Sequence, residues 1–386
     1  GNNAPNRAGF SKYASYINSL AEKKLGRPLF LAMSADLSDS TNISGFAKGY
    51  DVLVEKGFYD KTSNKESPLF PQGITEFTNS GMIAGACTVN FSDQPYDSYS
   101  GFYGAMSTYG SFSYLKYGPL RLYSQLAQDS ELKVGKIIWV VSHSGPETAE
   151  DSRTHYGIFA PGVTQLFPNG SIINVHPWEH NEVAPSLTAA LKTDIPIVAI
   201  HLTRLSILIP DRKKMGIACY KESAKGAYII KDYCKKSPRK GIVIIRGTAP
   251  ISSLVQVLPA IKNDGPNVKI IAAVSMELFK NQSKEYQDSI ISHTEWNDAM
   301  IITNTSLKNM GGWIKNKQVL KYSLSPDFDN RWRTGGSVNQ IIKESKLDPL
   351  SILNAINMFS DSREKRLNIL KEQIPDYYQT IIIFFS

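Results

Sequence analysis

The sequence predicts an α/β protein of two domains, each a mostly parallel sheet flanked by helices. Short apolar runs that end in polar residues alternate with helix-length segments, which is typical of buried parallel strands. This alternation occurs twice along the 386 residues, a length that allows two domains. Between the two parts, after Pro210, the chain turns polar and lysine-rich until Gly241. We therefore expect a first domain at 1–215, a linker at 216–240 and a second domain at 241–386.

The first domain opens with a helix and then supplies four apolar runs. Residues 10–25 place their apolar side chains on one helical face, and Gly26 ends the helix. The runs, each expected to form a strand, are LFLAMSADL (29–37), KIIWVVSHS (136–144), SIINVH (171–176) and PIVAIHLTR (196–204). Ligands of such sheets bind beyond the carboxyl ends of the strands. The polar residues after these runs are therefore site candidates: Asp36, Ser40, His143 and Arg204.

The second domain repeats the pattern with three shorter runs. These are GIVIIRGTA (241–249), KIIAAVSM (269–276) and AMIITNTS (299–306), with helical segments such as SLVQVLPAIK between them. The basic stretch DYCKKSPRKG (232–241) is expected to be a solvated linker. The apolar stretch TIIIFFS (380–386) is too short to span a membrane and is expected to be a buried edge.

The composition favours a cytoplasmic globular protein. Hydrophobic residues make up 42% and charged residues 20%, which leaves ample material for a core. We expect neither a membrane span, because no apolar run reaches the roughly 18 residues it needs, nor secretion, because no leader is evident. The three cysteines form neither a C-x-x-C pair nor an even set, which favours reduced thiols. The formal charge of +8 fits anionic ligands or an acidic partner and does not single out nucleic acid, which we do not expect as a partner.

Several standard catalytic and metal motifs are absent from the sequence. It contains no G-x-x-x-x-G-K-[ST], no G-x-G-x-x-G after a strand, no G-x-S-x-G and no H-E-x-x-H. HPWEH (176–180) has zinc-like spacing, but Pro177 follows a strand and no third ligand is evident. The same objection applies to His143 and His155, so no metal site is expected.

Six segments between residues 30 and 204 carry a family resemblance. They are SADLSDSTN (34–42), GITEFTNSGMIAGA (73–86), TYGSFSY (108–114), HSGPETAEDSRTH (143–155), INVHPWEHNEV (173–183) and AIHLTR (199–204). In this order and at comparable spacing, they resemble the transketolase elements S-A-D-L-x-x-S, G-V-R-E-H-x-M, F-x-x-F-S, H-D-S-x-G-x-G-E-D-G-P-T-H, R-P-x-D-x-N-E and a strand that ends in arginine. The second domain resembles the family's C-terminal domain more loosely.

The resemblance covers only the second half of a full-length transketolase. The chain thus looks like the C-terminal subunit of a split transketolase, with a pyrimidine-binding domain of the thiamine diphosphate-binding fold followed by the family's C-terminal domain. The other half carries the diphosphate-binding domain and its G-D-G…N magnesium motif, which this sequence lacks. The resemblance therefore implies a partner, an N-terminal diphosphate-binding subunit that mainly holds the thiamine diphosphate and Mg²⁺ (or Ca²⁺). We expect an α2β2 heterotetramer, because the cofactor of this family lies between domains of different protomers.

The activity implied by the resemblance is transfer of a two-carbon ketol unit from a ketose phosphate to an aldose phosphate. Glu76 would bind the pyrimidine N1′ of the cofactor and promote its activation. Asp36 would help to position the cofactor, and Tyr109 and Phe112 would form flat walls for its ring. His155 would be the acid–base partner of the substrate oxygen.

The resemblance also assigns residues to the sugar phosphate. Asp151 would accept hydrogen bonds from sugar hydroxyls. The phosphate would be held by Ser40, His143 and Arg204, the last able to form two hydrogen bonds to it. Arg7 corresponds to a further phosphate-binding arginine, although its spacing to Asp36 is longer than in the family.

The sequence departs from the family pattern around the cofactor and substrate walls. Phe77 replaces the histidine after the glutamate, and Leu115, next to Tyr114, replaces the third aromatic of the pyrimidine pocket. Ser152 and Arg153 replace the Gly-Pro before the threonine. These changes leave the donor and acceptor sugars open.

Ordinary structural roles stay open for every candidate. Glu76 could be a surface glutamate, Tyr109 and Phe112 could be core residues, and Glu150 could take the role of Asp151. Arg204 could belong to a surface ion pair and Ser40 to a turn.

Two other functions also stay open. A β subunit of a 2-oxo acid dehydrogenase shares the fold and the glutamate, but would not need Ser40, Arg204 or the two histidines. A non-catalytic homologue would keep the fold without the cofactor. The presence of Glu76 and His155 argues against the latter.

Overall fold

A computed structural model describes residues 2–52 and 54–373. Within these ranges the strands are β1 Asn3–Ala4, β2 Phe30–Ser34, β3 Leu69–Phe70, β4 Tyr103–Tyr109, β5 Ile137–Ser142, β6 Ile172–Val175, β7 Ile197–His201, β8 Ile207–Leu208, β9 Ala227–Lys231, β10 Ile242–Arg246, β11 Lys269–Ala273 and β12 Ala299–Thr303. The helices are α1 Asn6–Leu25, α2 Glu76–Ala86, α3 Tyr117–Asp129, α4 Ala160–Val163, α5 Val183–Leu191, α6 Arg212–Met215, α7 Thr248–Asn263, α8 Met276–Lys280, α9 Lys284–Ile290, α10 Val338–Glu344, α11 Pro349–Asp361 and α12 Arg363–Gln373.

The first domain is built on a six-stranded sheet in the order β3-β2-β4-β5-β7-β6, in which every pairing is parallel. The expected strands at 29–37, 136–144, 171–176 and 196–204 are confirmed as β2, β5, β6 and β7. Every residue of β5 is buried, because helices cover both faces of a parallel sheet. This is why these strands are apolar throughout rather than alternating.

Helix α1 covers one face of this sheet. It begins at Asn6, earlier than expected, and ends at Gly26, whose φ of 69° lies in the left-handed region that glycine adopts readily. The Phe10 ring packs edge-on against Phe46 at 5.8 Å, and Phe46 stacks on Phe30 of β2 at 5.1 Å. Before α1, strand β1 pairs antiparallel with β8, which follows the first sheet in sequence.

The second domain is built on a four-stranded sheet in the order β12-β10-β11-β9, with β9 antiparallel and the others parallel. The runs at 241–249, 269–276 and 299–306 form β10, β11 and β12, and α7 follows β10. Strand β9 lies inside the range 216–240 that the sequence assigns to a linker, so that range belongs in part to the second sheet. The basic stretch that follows is mostly exposed, and it joins β9 to β10.

The two domains meet through residues that follow their strands. The His176 backbone N–H, just after β6, donates to the Val274 carbonyl, just after β11, at 2.8 Å. The Ser306 N–H, past β12, donates to the Ile158 carbonyl at 2.9 Å. The two sheets therefore approach each other at the carboxyl ends of their strands, where ligands bind in folds of this kind.

No helix in the described part of the chain is long and apolar enough to cross a lipid bilayer. The stretch TIIIFFS, expected to be a buried edge, lies outside the described residues.

Candidate active site

Most candidate residues gather around Tyr109, the last residue of β4. Its ring lies 3.9 Å from the His143 ring and 4.5 Å from the His155 ring, measured between centroids. Its hydroxyl is 3.0 Å from the Ser40 Oγ. Strand β4 lies between β2 and β5, so the loops after these three strands reach the same edge of the sheet. The histidines quoted in 143–155 are therefore part of one polar cluster beyond the strands.

Asp151 joins the members of this cluster. Its Oδ2 lies 2.8 Å from His155 Nδ1 and 3.6 Å from His143 Nε2, and its Oδ1 pairs with Arg204 Nη1. Desolvation would raise the pKa of Asp151, but the hydrogen bonds from His155 and Arg204 outweigh it and lower the pKa. The carboxylate therefore stays charged and fixes both side chains. Glu150, the alternative, is exposed beside it.

His143 is fully buried and held in an uncommon backbone conformation, with φ at 56°. Its Nδ1 lies 2.9 Å from the Ser142 Oγ. Burial lowers the pKa of His143 to about 3, although the Asp151 charge opposes this shift. The ring is therefore neutral near pH 7, and it can offer a hydrogen bond to a ligand but no charge.

Two arginines from distant parts of the chain enter the cluster. Arg7, in the first turn of α1, donates from Nη1 to the Ser40 carbonyl. Burial, and then repulsion from Arg204, lower the pKa of Arg7. Two cations are thus brought close together with one carboxylate, Asp151, among them. The arrangement has an excess of positive charge, which an anion would offset.

Glu76 lies on the other side of the end of β4. It is the first residue of α2, is 5% exposed, and its Oε1 accepts a hydrogen bond from the Thr108 Oγ1 at 2.9 Å. Neighbouring residues of a strand face opposite sides of the sheet, so Thr108 and Tyr109 direct Glu76 and the histidines to opposite sides. Among the described residues, Glu76 makes no hydrogen bond to His143 or His155.

A buried lysine lies close to Glu76. Lys116 is 1% exposed, and its Nζ donates to the Met106 and Val140 carbonyls at 3.2 and 3.3 Å. Burial lowers its pKa well below the ordinary value, while the charge of Glu76 opposes this shift. Lys116 and Glu76 are thus two buried ionisable groups near each other in the first domain.

The remaining cofactor candidates lie at the edge of the cluster. Phe112 is half-buried, and its ring is edge-on to His155 at 6.1 Å. Asp36 is exposed two residues after β2 with φ at 56°, and its backbone N–H donates to the Ser34 carbonyl at 2.8 Å. The structure therefore places Asp36 at the same sheet edge but outside the contacts around Tyr109.

An open apolar surface borders Glu76. Phe77, Tyr114 and Leu115, three positions at or beside the departures from the family pattern, are 63%, 58% and 38% exposed. Helices α2 and α3 pack against each other, and Met82 and Leu122 extend this surface along them with 45% and 61% exposure. Exposed apolar side chains in such numbers are typical of an interaction surface.

The sequence did not identify three residues that support the site: Thr108, Lys116 and Ser142. Thr108 stands next to the aromatic candidate Tyr109, and Ser142 stands next to His143. Lys116 is a lysine between aromatic and apolar residues, a pattern that could have indicated a buried cation. In the described part of the chain, no three His, Cys, Asp or Glu residues are grouped so as to hold a metal ion.

The comparisons with known proteins point to one family. No family model matches the sequence. The chloroplastic transketolase of Spinacia oleracea is 26% identical over 278 residues, which cover 71% of this chain and 32% of that protein. The transketolase of Geobacillus stearothermophilus is 26% identical over 281 residues, covering 73% of this chain and 37% of that protein. The chain spans about a third of the length of the curated relatives it matches.

Solved structures show the same fold. The transketolase of Pichia stipitis in complex with sedoheptulose 7-phosphate matches with a TM-score of 0.69 and 18% identity, over 96% of this chain and 47% of that chain. An inactive β4 tetramer of a split-gene transketolase matches with a TM-score of 0.60 and 15% identity, over 93% of this chain and 99% of that chain. In sequence and in fold the chain is similar to transketolases, and it corresponds to only part of the longer ones.

Proposed function

We propose that this chain is the C-terminal, pyrimidine-side subunit of a thiamine diphosphate-dependent transketolase. It would transfer a two-carbon ketol unit between sugar phosphates together with a diphosphate-binding subunit. The observation that carries the proposal is the arrangement at the end of β4. A buried acid, Glu76, lies on one side of Thr108–Tyr109, and an Asp151-held imidazole with two arginines lies on the other.

The residues around Glu76 fit the pyrimidine half of the cofactor. A buried carboxyl group beside exposed aromatic and apolar side chains suits a flat ring with polar nitrogens. Glu76 would hold N1′, while Phe112 and Tyr109 would flank the ring. When bound, thiamine diphosphate would supply the nucleophilic carbon that forms and breaks the carbon–carbon bond.

His155 would exchange protons with the substrate. Asp151 binds its Nδ1 at 2.8 Å, which fixes the ring and leaves Nε2 as the nitrogen that can face a sugar oxygen. A fixed imidazole is the usual group for such proton transfer. Asp151 is also placed to accept a hydrogen bond from a sugar hydroxyl, because its carboxylate remains charged.

The phosphate of the sugar would bind to the two arginines. Arg204 and Arg7 lie at the same rim, and the Ser40 hydroxyl and the neutral His143 ring add hydrogen-bond donors or acceptors. This cationic rim favours ketol transfer between sugar phosphates over a 2-oxo acid dehydrogenase β subunit, whose substrate carries no phosphate. Asp36 would contact the cofactor from the loop after β2.

The exposed apolar surface on α2 and α3 supports a partner that covers Glu76. A cofactor shared between subunits needs this face to be closed off from water, and an α2β2 assembly would do so. The match to nearly all of a split-gene transketolase chain supports a separate partner. The three free cysteines fit a reducing compartment, and we place the protein in the cytoplasm.

The test reconstitutes the enzyme. The chain is mixed with a diphosphate-binding transketolase subunit from the same genome, thiamine diphosphate and Mg²⁺, and offered xylulose 5-phosphate and ribose 5-phosphate. We expect ketol transfer that falls by at least about 100-fold in Glu76→Ala. Glu131→Ala, an exposed glutamate in the loop before β5, is the matched control and should retain activity. Full activity in Glu76→Ala would overturn the proposal, and pyruvate oxidation without sugar turnover would favour the dehydrogenase alternative.

A second pair of variants tests the role of Asp151. Asp151→Asn should lower kcat by about 100-fold, because His155 loses the charge that fixes it. Glu150→Gln, at the exposed neighbour, should leave kcat unchanged. The opposite ranking would assign the role to Glu150. Circular dichroism of both variants checks that the fold is intact.

A further inference from the structure

A cavity lies between the two domains, and the residues of the Tyr109 cluster do not line it. Its volume is about 420 Å³. Residues at or just after the ends of β6, β10 and β11 line it, among them Asn174, His176, Arg246 and Glu277. It therefore occupies the position beyond the carboxyl ends of strands in both sheets at once, which is where α/β folds bind ligands.

Arg246, the last residue of β10, is a buried cation without an ion pair in the described part of the chain. It is 3% exposed, its Nη2 donates to the Thr305 Oγ1 at 2.7 Å, and its Nη1 donates to the Asn309 carbonyl at 3.4 Å. Its Nε has no hydrogen-bond partner. Burial lowers the pKa of Arg246 to about 9, which still leaves it charged near pH 7. A buried charge with only neutral partners is costly unless an anion joins it.

His176 presents a second unpartnered group to the cavity. It is 7% exposed, and its ring stacks on the His201 ring at 4.1 Å, with 9° between the planes. Its Nε2 has no hydrogen-bond partner. Burial, and then the charge of Arg246, lower its pKa well below the ordinary value, so the ring is neutral. A neutral imidazole can still donate one hydrogen bond to a ligand.

The acidic residue of the cavity does not neutralise Arg246 by direct contact. The Glu277 Oε1 accepts from the Asn174 Nδ2 at 3.3 Å, and its Oε2 accepts from the Ser275 Oγ at 3.1 Å. Both of these donors are neutral. Lys280 adds a second cation, exposed at the mouth. Two cations and one acid leave the cavity short of negative charge.

Part of the remaining wall is apolar. Phe167, Ile172, Met276 and Trp313 line it, and of these Trp313 is 3% exposed. Such a wall suits the carbon skeleton of a small molecule and not a bare hydrated ion.

We propose that this cavity binds a small organic anion, whose phosphate or carboxylate oxygens contact Arg246 and His176 while its carbon atoms face the apolar wall. The ligand would touch residues of both sheets. Its binding would therefore stabilise the packing of one domain on the other. This site is separate from the Tyr109 cluster, and the proposal does not depend on the function proposed above.

The test titrates the chain with three probes: inorganic phosphate, glycerol 3-phosphate and malonate. Binding is measured by calorimetry and by the rise in Tm, in the parent chain and in an Arg7→Ala/Arg204→Ala background that removes both arginines of the Tyr109 cluster. We expect saturable binding of at least one organic anion, tighter than that of inorganic phosphate. Preference between glycerol 3-phosphate and malonate distinguishes a phosphate group from a carboxylate. Absence of saturable binding by all three, or binding that Arg7→Ala/Arg204→Ala abolishes, overturns the proposal.

Three variants of the cavity should change the affinity for the anion, two by weakening it and one by tightening it. Arg246→Met should weaken binding by at least about tenfold, through loss of a charge-assisted hydrogen bond. Its Tm without anion should equal or exceed that of the parent, because a buried unpaired charge is gone. Glu277→Gln should tighten binding, since it removes the repelling carboxylate. Lys280→Ala should weaken binding, while Lys284→Ala, on the exposed face of α9, is the matched control.

If Arg246 had a purely structural role, Arg246→Met would show the opposite change in stability. Arg246→Met would then lose stability without anion, and the affinities of all variants would be equal. If Arg246→Met does not fold, the opposite shifts of Glu277→Gln and Lys280→Ala still decide the question. Equal affinities in these two variants and the parent would overturn the proposal.

Discussion

Glu147 is expected to make the free energy of unfolding depend on pH, and a single substitution of Glu147 should remove this dependence. It lies in the 3-10 helix Pro146–Glu150, is 1% exposed, and its Oε1 accepts from the Asn304 Nδ2 of the second domain at 3.1 Å. Its Oε2 has no hydrogen-bond partner, and no cation pairs with it within the described residues. Burial raises the pKa of Glu147 from the ordinary 4.5 to about 7, although hydrogen bonds to its oxygens oppose this shift.

The sign of the effect follows from which state holds the proton. Between about pH 4.5 and 7 the folded protein keeps the Glu147 proton while the unfolded chain has lost it. Folding therefore binds a proton, and the free energy of unfolding falls as the pH rises through this range. Each tenfold difference in proton affinity corresponds to about 1.4 kcal/mol, so the loss amounts to about 3 kcal/mol above pH 7.

The assay is urea unfolding of the native protein and of Glu147→Gln at pH 5 and pH 8, followed by tryptophan fluorescence. Glutamine keeps the acceptor for Asn304 but cannot ionise. We expect Glu147→Gln to be more stable than the native protein by about 3 kcal/mol at pH 8 and by less than about 1 kcal/mol at pH 5. Glu150→Gln, exposed on the same 3-10 helix, should change the unfolding curve by less than about 0.5 kcal/mol. If Glu147→Gln loses as much stability between pH 5 and 8 as the native protein, another group is responsible.

Two further predictions concern buried groups elsewhere. Arg212 is paired with the buried Glu179 and Glu182, the latter at 2.8 Å. Arg212→Met should therefore lower the free energy of unfolding in urea by about 3–5 kcal/mol, because it leaves two buried carboxylates without their cation. A loss under about 1 kcal/mol would contradict this. Burial raises the pKa of the Cys87 thiol. In a thiol-reagent assay, two cysteines should therefore react in the native protein, and Cys87 only after denaturation. Rapid reaction of all three thiols in the native protein would contradict the burial of Cys87. The two reactive thiols are the exposed Cys219 and Cys234.

The strands that the sequence predicted are those buried on both faces. Runs such as those of β5 and β10 are apolar throughout, and this pattern is local. Among the described residues, five strands did not stand out: β1, β3 and β8, of two residues each, and the longer β4 and β9. Strand β4 reads YGAMSTY, with Gly, Ala and Ser where β-branched residues would mark a strand, and its position between β2 and β5 comes from pairing. Strand β9 is short, at an edge, and set in a lysine-rich segment that resembles a linker.

The candidate site was predictable as a set of residues but not as a set of contacts. The family resemblance named His143, Asp151, His155 and Arg204, and the structure brings all four together. That the Asp151 carboxylate pairs with His155 and Arg204 and lies 3.6 Å from His143 depends on the path of the loop 143–155, which no periodic pattern encodes. The burial of Glu147 in the same loop could not be predicted either, because it is covered by the second domain, whose Asn304 lies 157 residues further along the chain.

The distribution of charge connects the two sites at the carboxyl ends of the sheets. The carboxylate of Asp151 is already shared by His155 and Arg204, so Arg7, which forms no ion pair within the described residues, is the cation left without a counter-charge at the rim. At the other site Arg246 is in the same position, with Glu277 bound instead by neutral donors. In both places the protein holds a partly or fully buried guanidinium near the carboxyl ends of parallel strands, and a bound anion would offset the cost of burying it. If both proposals hold, part of the net charge of +8 serves to bind small anions.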